Sequence, residues 1–472
     1  MTLVTTGMRW LALVLLLGVV LVSRFYDIQT YPLLGPDEGL WNLEARNAVL
    51  FSDRGMNNVH QVFAGPLHFG ITWCLFHLVP ATCFSVRLMG GMLGVGSLIL
   101  MWIILKRHYD RRTALWGIVL AGLSFTMIII NRRAYLENGV IFFSLLTMMV
   151  STTRMRWQNT AMALCIALLL SYKSNAIYLL PCLLLPSLTR ERRKELFSRL
   201  IAVGCGVAGA LLVIFLVSRV SPEQFITTYR HELSKGPPGW SVVSFGRFGL
   251  SPQSFLEMAR YICVAHSDLA IVAFVALLLF VFMRLWRDMF ALQMVVWLVG
   301  GIVFLGVQWW HGQYVAPLII PAVLLFAAAV ARLRLPWQVW GLRTVAALVI
   351  LLSVVRVSAG WVSMRRSNPP LAALHWLNKQ ALDGRTFLAC PQVAAGTEAK
   401  GYAISPIFLP TRTYAPPTME MFVRHQQVRY IIYDQWETEP HFRENAEMAA
   451  YLRACSRVAE GEGWVAYRTR EN

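Results

Sequence analysis

Three acidic residues lie within eight positions near the start of a sequence that contains few acids. Asp37, Glu38 and Glu44 belong to a chain of 472 residues with only 25 Asp and Glu residues in all. A carboxylate in the low dielectric near a bilayer has a raised pKa, which suits a general base that takes a proton from a hydroxyl. The alternative is structural, because Asp37 can cap the helix predicted after Pro36. On these residues alone the two interpretations are level.

Two groups of basic residues occur further along the chain. Arg132 and Arg133 precede Glu137, and such side chains can clamp a phosphate or extend to lipid headgroups. Lys173 lies alone between two short apolar segments. A lysine in such surroundings is costly and therefore a functional candidate, with a phosphate or Glu137 as its partner, although it can also extend to water.

Two polar segments hold weaker candidates. The stretch Gln308-Trp-Trp-His-Gly-Gln-Tyr314 reads as a set of interface anchors, but we retain His311 and Tyr314 as predicted substrate-binding residues. Residues 229–240 contain glycines and prolines that suit a mobile lid, and an ordinary solvated loop is the simpler interpretation.

The sequence predicts neither a metal nor a cofactor. The polar residues that could conceivably bind a metal lack the spacing of HExxH or DxD motifs. They are His60, His68, His231 and Glu232. The eight cysteines form no CxxC pair, which argues against zinc-finger and thioredoxin-like sites.

The composition indicates a membrane protein that crosses the bilayer many times. Hydrophobic residues make up 57% of the chain and charged residues only 14%, which excludes a disordered chain, a coiled coil and an ordinary cytosolic enzyme. The net charge of +18 is typical of positively charged cytoplasmic loops, and we prefer that explanation to nucleic-acid binding.

Long apolar segments predict an all-α membrane domain of about eleven transmembrane helices with additional interfacial helices. The first follows Arg9 and ends near Val22. The others are residues 86–105, 113–130, 134–150, 161–171, 175–188, 201–217, 269–283, 290–307, 314–331 and 339–355.

Loop charge predicts the direction of these spans. With the N-terminus in the cytoplasm, the five cytoplasmic loops carry fifteen basic residues and the three short external loops carry three. This topology requires residues 67–80 to form an interfacial helix, and residues 158–188 to form two short helices that meet at Lys173. All the polar clusters described above then lie on the external face, and Lys173 lines a cavity open to that side.

The end of the chain predicts a second domain. We divide the sequence into a membrane domain, residues 1–360, and a small external α/β domain, residues 361–472. Helices are predicted at 371–382 and 444–455, and strands at 386–390, 428–433 and 464–468. Cys390 and Cys455 can form a disulfide or remain two separate thiols, and their spacing favours neither.

Together, these clusters suit the activation of an acceptor and the binding of an anionic, lipid-linked leaving group. The sequence resembles the GT-C glycosyltransferases, and within them the bacterial superfamily that contains protein-mannosyltransferase and aminoarabinose-transferase-like enzymes. The segments that carry the resemblance are Pro36-Asp37-Glu38 with Arg46 beyond it, the apolar helix opened by Gly65-Pro66, Arg133-Ala-Tyr-Leu-Glu137-Asn138, Leu170-Ser-Tyr-Lys173-Ser174, and the run from Tyr314 to Pro321. The likeness covers the membrane part and fades after residue 330.

The resemblance implies a sugar donor linked to undecaprenyl or another polyprenyl phosphate, and inverting transfer to a lipid, glycan or protein acceptor on the periplasmic side of a bacterial inner membrane. Asp37 would deprotonate the acceptor hydroxyl, Glu38 would assist it or bind the acceptor, and Glu137 would occupy a second acidic position. The cations implied in binding of the donor phosphate are Lys173, Arg46, Arg132 and Arg133.

Some positions depart from the family pattern. Glu137 stands where the family usually has Asp, and Gly65 and Leu40 stand where the aminoarabinose enzymes carry Lys and Arg. These differences favour another sugar or another acceptor. Two alternatives remain: a transporter or flippase of a lipid-linked sugar, which should show inverted repeats and midplane binding groups, and a non-catalytic subunit of an envelope complex.

Overall fold

The computed structural model describes residues 2–52, 65–153, 155–188, 193–218, 244–245, 248–249, 252–307, 312–333, 336–403, 419–434 and 446–470. Its α-helices are α1 (Thr2–Phe25), α2 (Pro36–Phe51), α3 (Pro66–Phe76), α4 (Cys83–His108), α5 (Arg111–Gly122), α6 (Phe125–Asn131), α7 (Glu137–Thr152), α8 (Gln158–Tyr172), α9 (Leu180–Leu184), α10 (Leu196–Ser218), α11 (Pro252–Ala265), α12 (Ser267–Phe282), α13 (Met289–Val307), α14 (Ile319–Arg332), α15 (Pro336–Arg366), α16 (Pro369–Leu377), α17 (Pro391–Ala394), α18 (Met419–His425) and α19 (Ala446–Ala454). The strands are β1 (Ser244–Phe245), β2 (Phe248–Gly249), β3 (Thr386–Ala389), β4 (Gly401–Ala403), β5 (Val428–Asp434), β6 (Ser456–Gly461) and β7 (Trp464–Arg468).

The chain forms two compact units, and each is assembled from separate stretches of sequence. Unit 1 consists of Met1–Tyr26, Gly91–Asn131 and Leu136–Ser358. Unit 2 consists of Asp27–Gly90, Arg132–Tyr135 and Ala359–Asn472. The predicted boundary at residue 360 is close to Ala359, where unit 2 resumes, but the tail shares its unit with two earlier stretches of the chain.

Unit 1 is a bundle of apolar helices. Helix α14 lies in its interior, since every residue from Ile319 to Ala329 is buried, and it packs against α5, α12 and α13. A second group is formed by α7, α8 and α10, which pack side by side. Outward-facing side chains of these helices are largely apolar and exposed, as expected for helices surrounded by lipid.

Within the described residues, five helical stretches are long and apolar enough to cross a membrane: Cys83–His108, Arg193–Val217, Met289–Gly306, Gln313–Arg332 and Trp340–Arg366. The number rises to seven if two bent pairs each form one span. These pairs are α5 with α6, bent by 64°, and α11 with α12, bent by 109°. Every one of the eleven predicted segments is mainly helical, but four of them are shorter helices, so eleven crossings stay a prediction.

The predicted interruption at Lys173 is confirmed. Helix α8 ends at Tyr172, Lys173 has the extended conformation (φ −160°, ψ 116°), and a 3₁₀-helix begins at Ser174. The segment that follows contains Pro181 and Pro186, which cannot donate a helical hydrogen bond, and it alternates between short α and 3₁₀ turns. The helix predicted after Gly65-Pro66 is also present as α3, and its place at the membrane surface stays a prediction.

Unit 2 contains the predicted α/β fold of the tail. Five strands form one sheet in the order β4-β3-β5-β7-β6, in which β3 runs parallel to β4 and β5, and β7 runs antiparallel to β5 and β6. One apolar cluster includes Leu374, Phe387 and Val393, and another includes Phe422, Ile431 and Leu452. Cys390 and Cys455 are both free thiols.

Candidate functional site

Asp37 lies in the first turn of α2, in unit 2. Gly35 precedes this helix in an extended conformation and Pro36 opens it, which places Asp37 and Glu38 where carboxylates interact favourably with the helix dipole. Asp37 itself is half-buried. The helix predicted after Pro36 is confirmed, but its N-cap is Gly35, so the capping role considered for Asp37 is wrong.

Glu38, by contrast, is completely buried and surrounded by donors. The Arg87 guanidinium donates from Nε to Oε1 at 2.8 Å and from Nη2 to Oε2 at 2.7 Å. The backbone N–H groups of Gly35 and Ala134 donate to the same carboxylate at 3.0 and 2.7 Å. Burial would raise the pKa of Glu38, but Arg87 and the other donors hold this pKa below its ordinary value. Glu38 is thus a fixed anion that holds the first turn of α2.

Residues Arg132–Tyr135 are part of unit 2, and they contact the same helix start. Ala134 donates to Glu38, and its carbonyl accepts a hydrogen bond from Asn42 Nδ2 at 3.3 Å. Arg132 donates to the carbonyl oxygens of Tyr31, at 2.9 Å, and Asp27, at 3.1 Å. The Arg132 guanidinium therefore braces the chain before α2, and its predicted role in donor binding stays a prediction.

Arg46 lies deeper in unit 2 and is fully buried. It donates to the carbonyl oxygens of Thr397 and Ala399 and to the side chain of Asn47. Burial lowers the pKa of Arg46 to about 9. These contacts join α2 to the segment after α17, and binding of a donor phosphate by Arg46 stays a prediction.

Helix α17 packs directly against α2 near the acidic pair. A Cβ atom at Gly39 would lie 2.2 Å from the carbonyl carbon and oxygen of Pro391, a distance that no side chain can occupy. Gly39 therefore allows the backbones of α2 and α17 to approach closely. The neighbouring N–H of Cys83 donates to the Ala395 carbonyl at 2.9 Å, so the tail holds α2 and the start of α4 within one unit.

Lys173 and Glu137 form a buried ion pair in unit 1. Glu137 lies at the start of α7 and Lys173 at the break after α8. The Lys173 Nζ atom also lies 3.8 Å from the centre of the Tyr314 ring, a cation–π distance. Glu137 is thus confirmed as a partner of Lys173, and Tyr314 joins the same cluster.

A polar chain supports the start of α7. Arg24, fully buried in the last turn of α1, donates from Nε to Asn131 Oδ1 at 3.0 Å. Asn131 Nδ2 donates to Asn138 Oδ1 at 2.9 Å, and Asn138 Nδ2 donates to the Ile130 carbonyl at 2.9 Å. Because Asn138 follows Glu137, this chain fixes the helix turn that presents Glu137 to Lys173.

Several residues of the site were not predicted from the sequence. Arg87 is the partner of Glu38, and its presence near the start of an apolar span was a usable sign of function. Asn42 carried no such sign, His68 was considered only as a conceivable metal ligand, and Tyr135 lies in a segment that carries the resemblance but was assigned no role. His68 hydrogen bonds through Nε2 to Asn42 Oδ1 at 3.1 Å and is buried, so its role in unit 2 is structural.

Some predicted residues lie outside the described part of the chain. They are His60, His231, Glu232, His311 and the lid at 229–240. Among the residues that are described, no group of three or more His, Cys, Asp or Glu side chains could hold a metal ion.

The sequence matches no family model and no curated protein. Solved structures do match. ArnT from Cupriavidus metallidurans bound to undecaprenyl phosphate has a TM-score of 0.67 at 15% identity, over 98% of this chain and 99% of that chain. The same protein in the apo state has a TM-score of 0.66 at 14% identity, over 99% of this chain and 100% of that chain.

A third match is the apo oligosaccharyltransferase from Archaeoglobus fulgidus, with a TM-score of 0.51 at 11% identity, over 97% of this chain and 74% of that chain. At these identities the likeness is one of fold, and it extends over nearly the whole chain. The predicted resemblance is confirmed at the level of the fold, which this chain shares with ArnT and with the archaeal oligosaccharyltransferase.

Proposed function

We propose that this protein is an integral-membrane glycosyltransferase that uses a polyprenyl-phosphate-linked sugar as donor. The observation that carries the proposal is the half-buried Asp37 at the start of α2, next to a locked Glu38, in a chain with the GT-C fold. The match to a protein bound to undecaprenyl phosphate supports a lipid phosphate as part of the donor.

In the proposed reaction, Asp37 accepts the proton of the acceptor hydroxyl. The acceptor oxygen then bonds to the anomeric carbon of the sugar with inversion, and the bond between that carbon and the phosphate oxygen breaks. The polyprenyl phosphate leaves with the bonding electron pair. A cation near the leaving oxygen stabilises its charge, and Lys173 is our candidate for that role.

Glu38 has a different role from Asp37 in this proposal. Its carboxylate already accepts four hydrogen bonds and is fully buried, so it cannot take a proton from an acceptor without breaking its contacts with Arg87. We assign Glu38 to positioning Asp37. The acidic doublet thereby divides into one reactive and one structural carboxylate.

Glu137 and Tyr314 contact Lys173 and hold its side chain in place. Such a lysine is pre-organised, because its side chain does not have to be ordered when a phosphate arrives. Glu137 balances its charge in the buried site. In the sequence only Leu136 separates Glu137 from Tyr135, so the two groups of polar residues are close along the chain.

The proposed location is a bacterial inner membrane, with the site and the tail on the periplasmic side. Loop charge supports this orientation. The proposed partners are the lipid-linked donor, a lipid, glycan or protein acceptor and membrane lipids, with no nucleic acid. Transport of the lipid-linked sugar without transfer is the alternative function.

The test compares Asp37→Asn with the wild-type protein in cells and in proteoliposomes. Loss of a general base lowers the transfer rate by about 10²–10⁴-fold. Envelope glycans and lipid A, analysed by mass spectrometry in cells with and without the chain, identify the product. The control is Asp383→Asn, an exposed aspartate in a turn with positive φ, where Asn is well tolerated.

Undiminished transfer by Asp37→Asn at a normal membrane level would rule out this mechanism. Movement of the donor across the bilayer with no sugar transfer by the wild-type protein would favour the transporter.

A further inference from the structure

The four residues Arg132–Tyr135 lie along the first turn of α2 within unit 2. Ala134 fixes their position, because its N–H donates to Glu38 and its carbonyl accepts from Asn42, one turn later on the same helix. Both backbone polar groups of Ala134, its N–H and its carbonyl, are therefore hydrogen bonded to α2. The side chains on either side of Ala134 are Arg133 and Tyr135.

Arg133 and Tyr135 contact each other. Arg133 Nη1 donates a hydrogen bond to the Tyr135 hydroxyl oxygen, and the guanidinium carbon lies 5.1 Å from the centre of the tyrosine ring. Both groups also reach the residue that caps α2. A Cβ atom at Gly35 would lie 2.8 Å from the Tyr135 hydroxyl and 3.4 Å from Arg133 Nη1. Gly35 thus leaves the space that the hydroxyl occupies.

The two side chains differ in accessibility. Tyr135 is buried, whereas Arg133 is only partly buried. A tyrosine hydroxyl is protonated at neutral pH and can both donate and accept a hydrogen bond. A buried phenol that contacts a partly buried guanidinium can orient it but cannot itself reach a substrate.

We propose that Tyr135 is a positioning residue, whose hydroxyl holds the Arg133 guanidinium at the start of α2 so that Arg133 can bind the phosphate of a polyprenyl carrier. The proposal rests on the proposed function, and it adds a role for two residues, Tyr135 and Gly35, to which the sequence analysis assigned none. Arg133 contacts the phosphate, and Tyr135 acts only through Arg133.

The experiment is a double-mutant cycle on the full-length protein in detergent, with undecaprenyl phosphate as the probe. The affinity of the wild type, Tyr135→Phe, Arg133→Ala and the double variant is measured by native mass spectrometry or fluorescence quenching. Removing a hydrogen bond to a charged group weakens binding by about tenfold in Tyr135→Phe. Once Arg133 is absent, the further change Tyr135→Phe should have no effect.

Two additional variants separate positioning from general damage. Gly35→Ala retains the hydroxyl but displaces it, and it should weaken binding in the same direction as Tyr135→Phe. Tyr402→Phe removes another buried hydroxyl, one that donates to Gln426 Oε1 at 2.7 Å in the tail sheet, and it should leave affinity unchanged. The thermal midpoint of each variant is recorded alongside.

The outcomes distinguish this inference from the proposed function. Additive losses in the cycle, or full affinity in Tyr135→Phe, would overturn the positioning role. Wild-type protein that binds undecaprenyl phosphate but transfers no sugar would overturn the proposed function alone, since the cycle would still report on Tyr135. Wild-type protein that does not bind the probe would overturn both.

Discussion

Glu38 shows how one buried carboxylate can hold several parts of the site. It accepts hydrogen bonds from Gly35 just before α2, from α4 through Arg87, and from the segment containing Ala134. A buried charge is tolerated only when its partners compensate the lost hydration. Because four donors are present, the carboxylate is a rigid reference point for Asp37 beside it.

Arg87→Met tests this interaction. Removing one partner of a buried ion pair destabilises a protein by about 3–5 kcal/mol. The folded-state pKa of Glu38 lies below its ordinary value, so its stabilising effect is present above about pH 4.3 and is lost as pH falls through the folded-state pKa. We therefore expect the deficit of Arg87→Met to be full at pH 7 and to shrink in acid. Thermal unfolding in detergent, measured from pH 7 down to about pH 3, covers the range in which this change is expected.

The control for this experiment is Arg424→Met, which removes an exposed arginine paired with Glu420 on α18. Exposed ion pairs contribute little to stability, so the thermal unfolding midpoint of Arg424→Met should differ only slightly from that of the wild type at every pH. Equal deficits in the two variants, or a deficit of Arg87→Met that grows in acid, would contradict the assigned role of Glu38.

Lys173→Met tests whether Lys173 binds the phosphate of the donor. Loss of the ammonium group removes the proposed phosphate contact, and we expect the KM for the donor to rise by about tenfold or more while the KM for the acceptor stays within a factor of two. The control is Lys379→Met, an exposed lysine of the tail. Steady-state kinetics with each substrate varied in turn gives both constants. Equal weakening of both substrates would argue against the phosphate role.

At the level of helices and strands, the sequence predicted what depends on local pattern. The helix after Pro66 and the central strands of the tail follow from apolar runs, whereas the break at Lys173 was predicted from loop charge, and all are present. Strand β6 was not predicted, because it is an edge strand whose side chains are mostly exposed and show no apolar alternation. The polar site was only partly predictable, since Glu38 and Arg87 are 49 residues apart and their contact depends on tertiary packing.

Gly39→Ala tests the packing of α17 on α2. The added methyl group would lie 2.2 Å from the Pro391 backbone, so one of the two helices must move. Overpacking of this kind costs about 1–3 kcal/mol, and the displaced α2 should also reduce transfer. Thermal unfolding and the transfer assay report the two effects.

Gly204→Ala is the matched control, because a Cβ atom at Gly204 on α10 meets no other atom within 4 Å. It should be neutral or slightly stabilising. If Gly39→Ala were equally harmless, the close approach of α17 would not be needed to place the acidic pair.

Considering the whole molecule, the orientation in the membrane follows from charge and can be tested directly. The predicted topology puts the tail in the periplasm. Alkaline phosphatase fused to the C-terminus should therefore be active, and green fluorescent protein fused at the same point through the general secretory route should be dark. A fluorescent and phosphatase-negative pair of fusions would reverse the topology, and with it the predicted face of the site.

The discontinuity of unit 2 has a consequence for biogenesis. Arg46 and its carbonyl partner Thr397 are 351 residues apart, so at about 5–20 residues per second the ribosome needs about 20–70 seconds to deliver the second after the first. During that interval, helix α2 lacks the carbonyl oxygens of Thr397 and Ala399 that accept hydrogen bonds from Arg46. Unit 2 therefore cannot complete its folding until the tail has been synthesised. We expect membrane chaperones to act on the chain during this period.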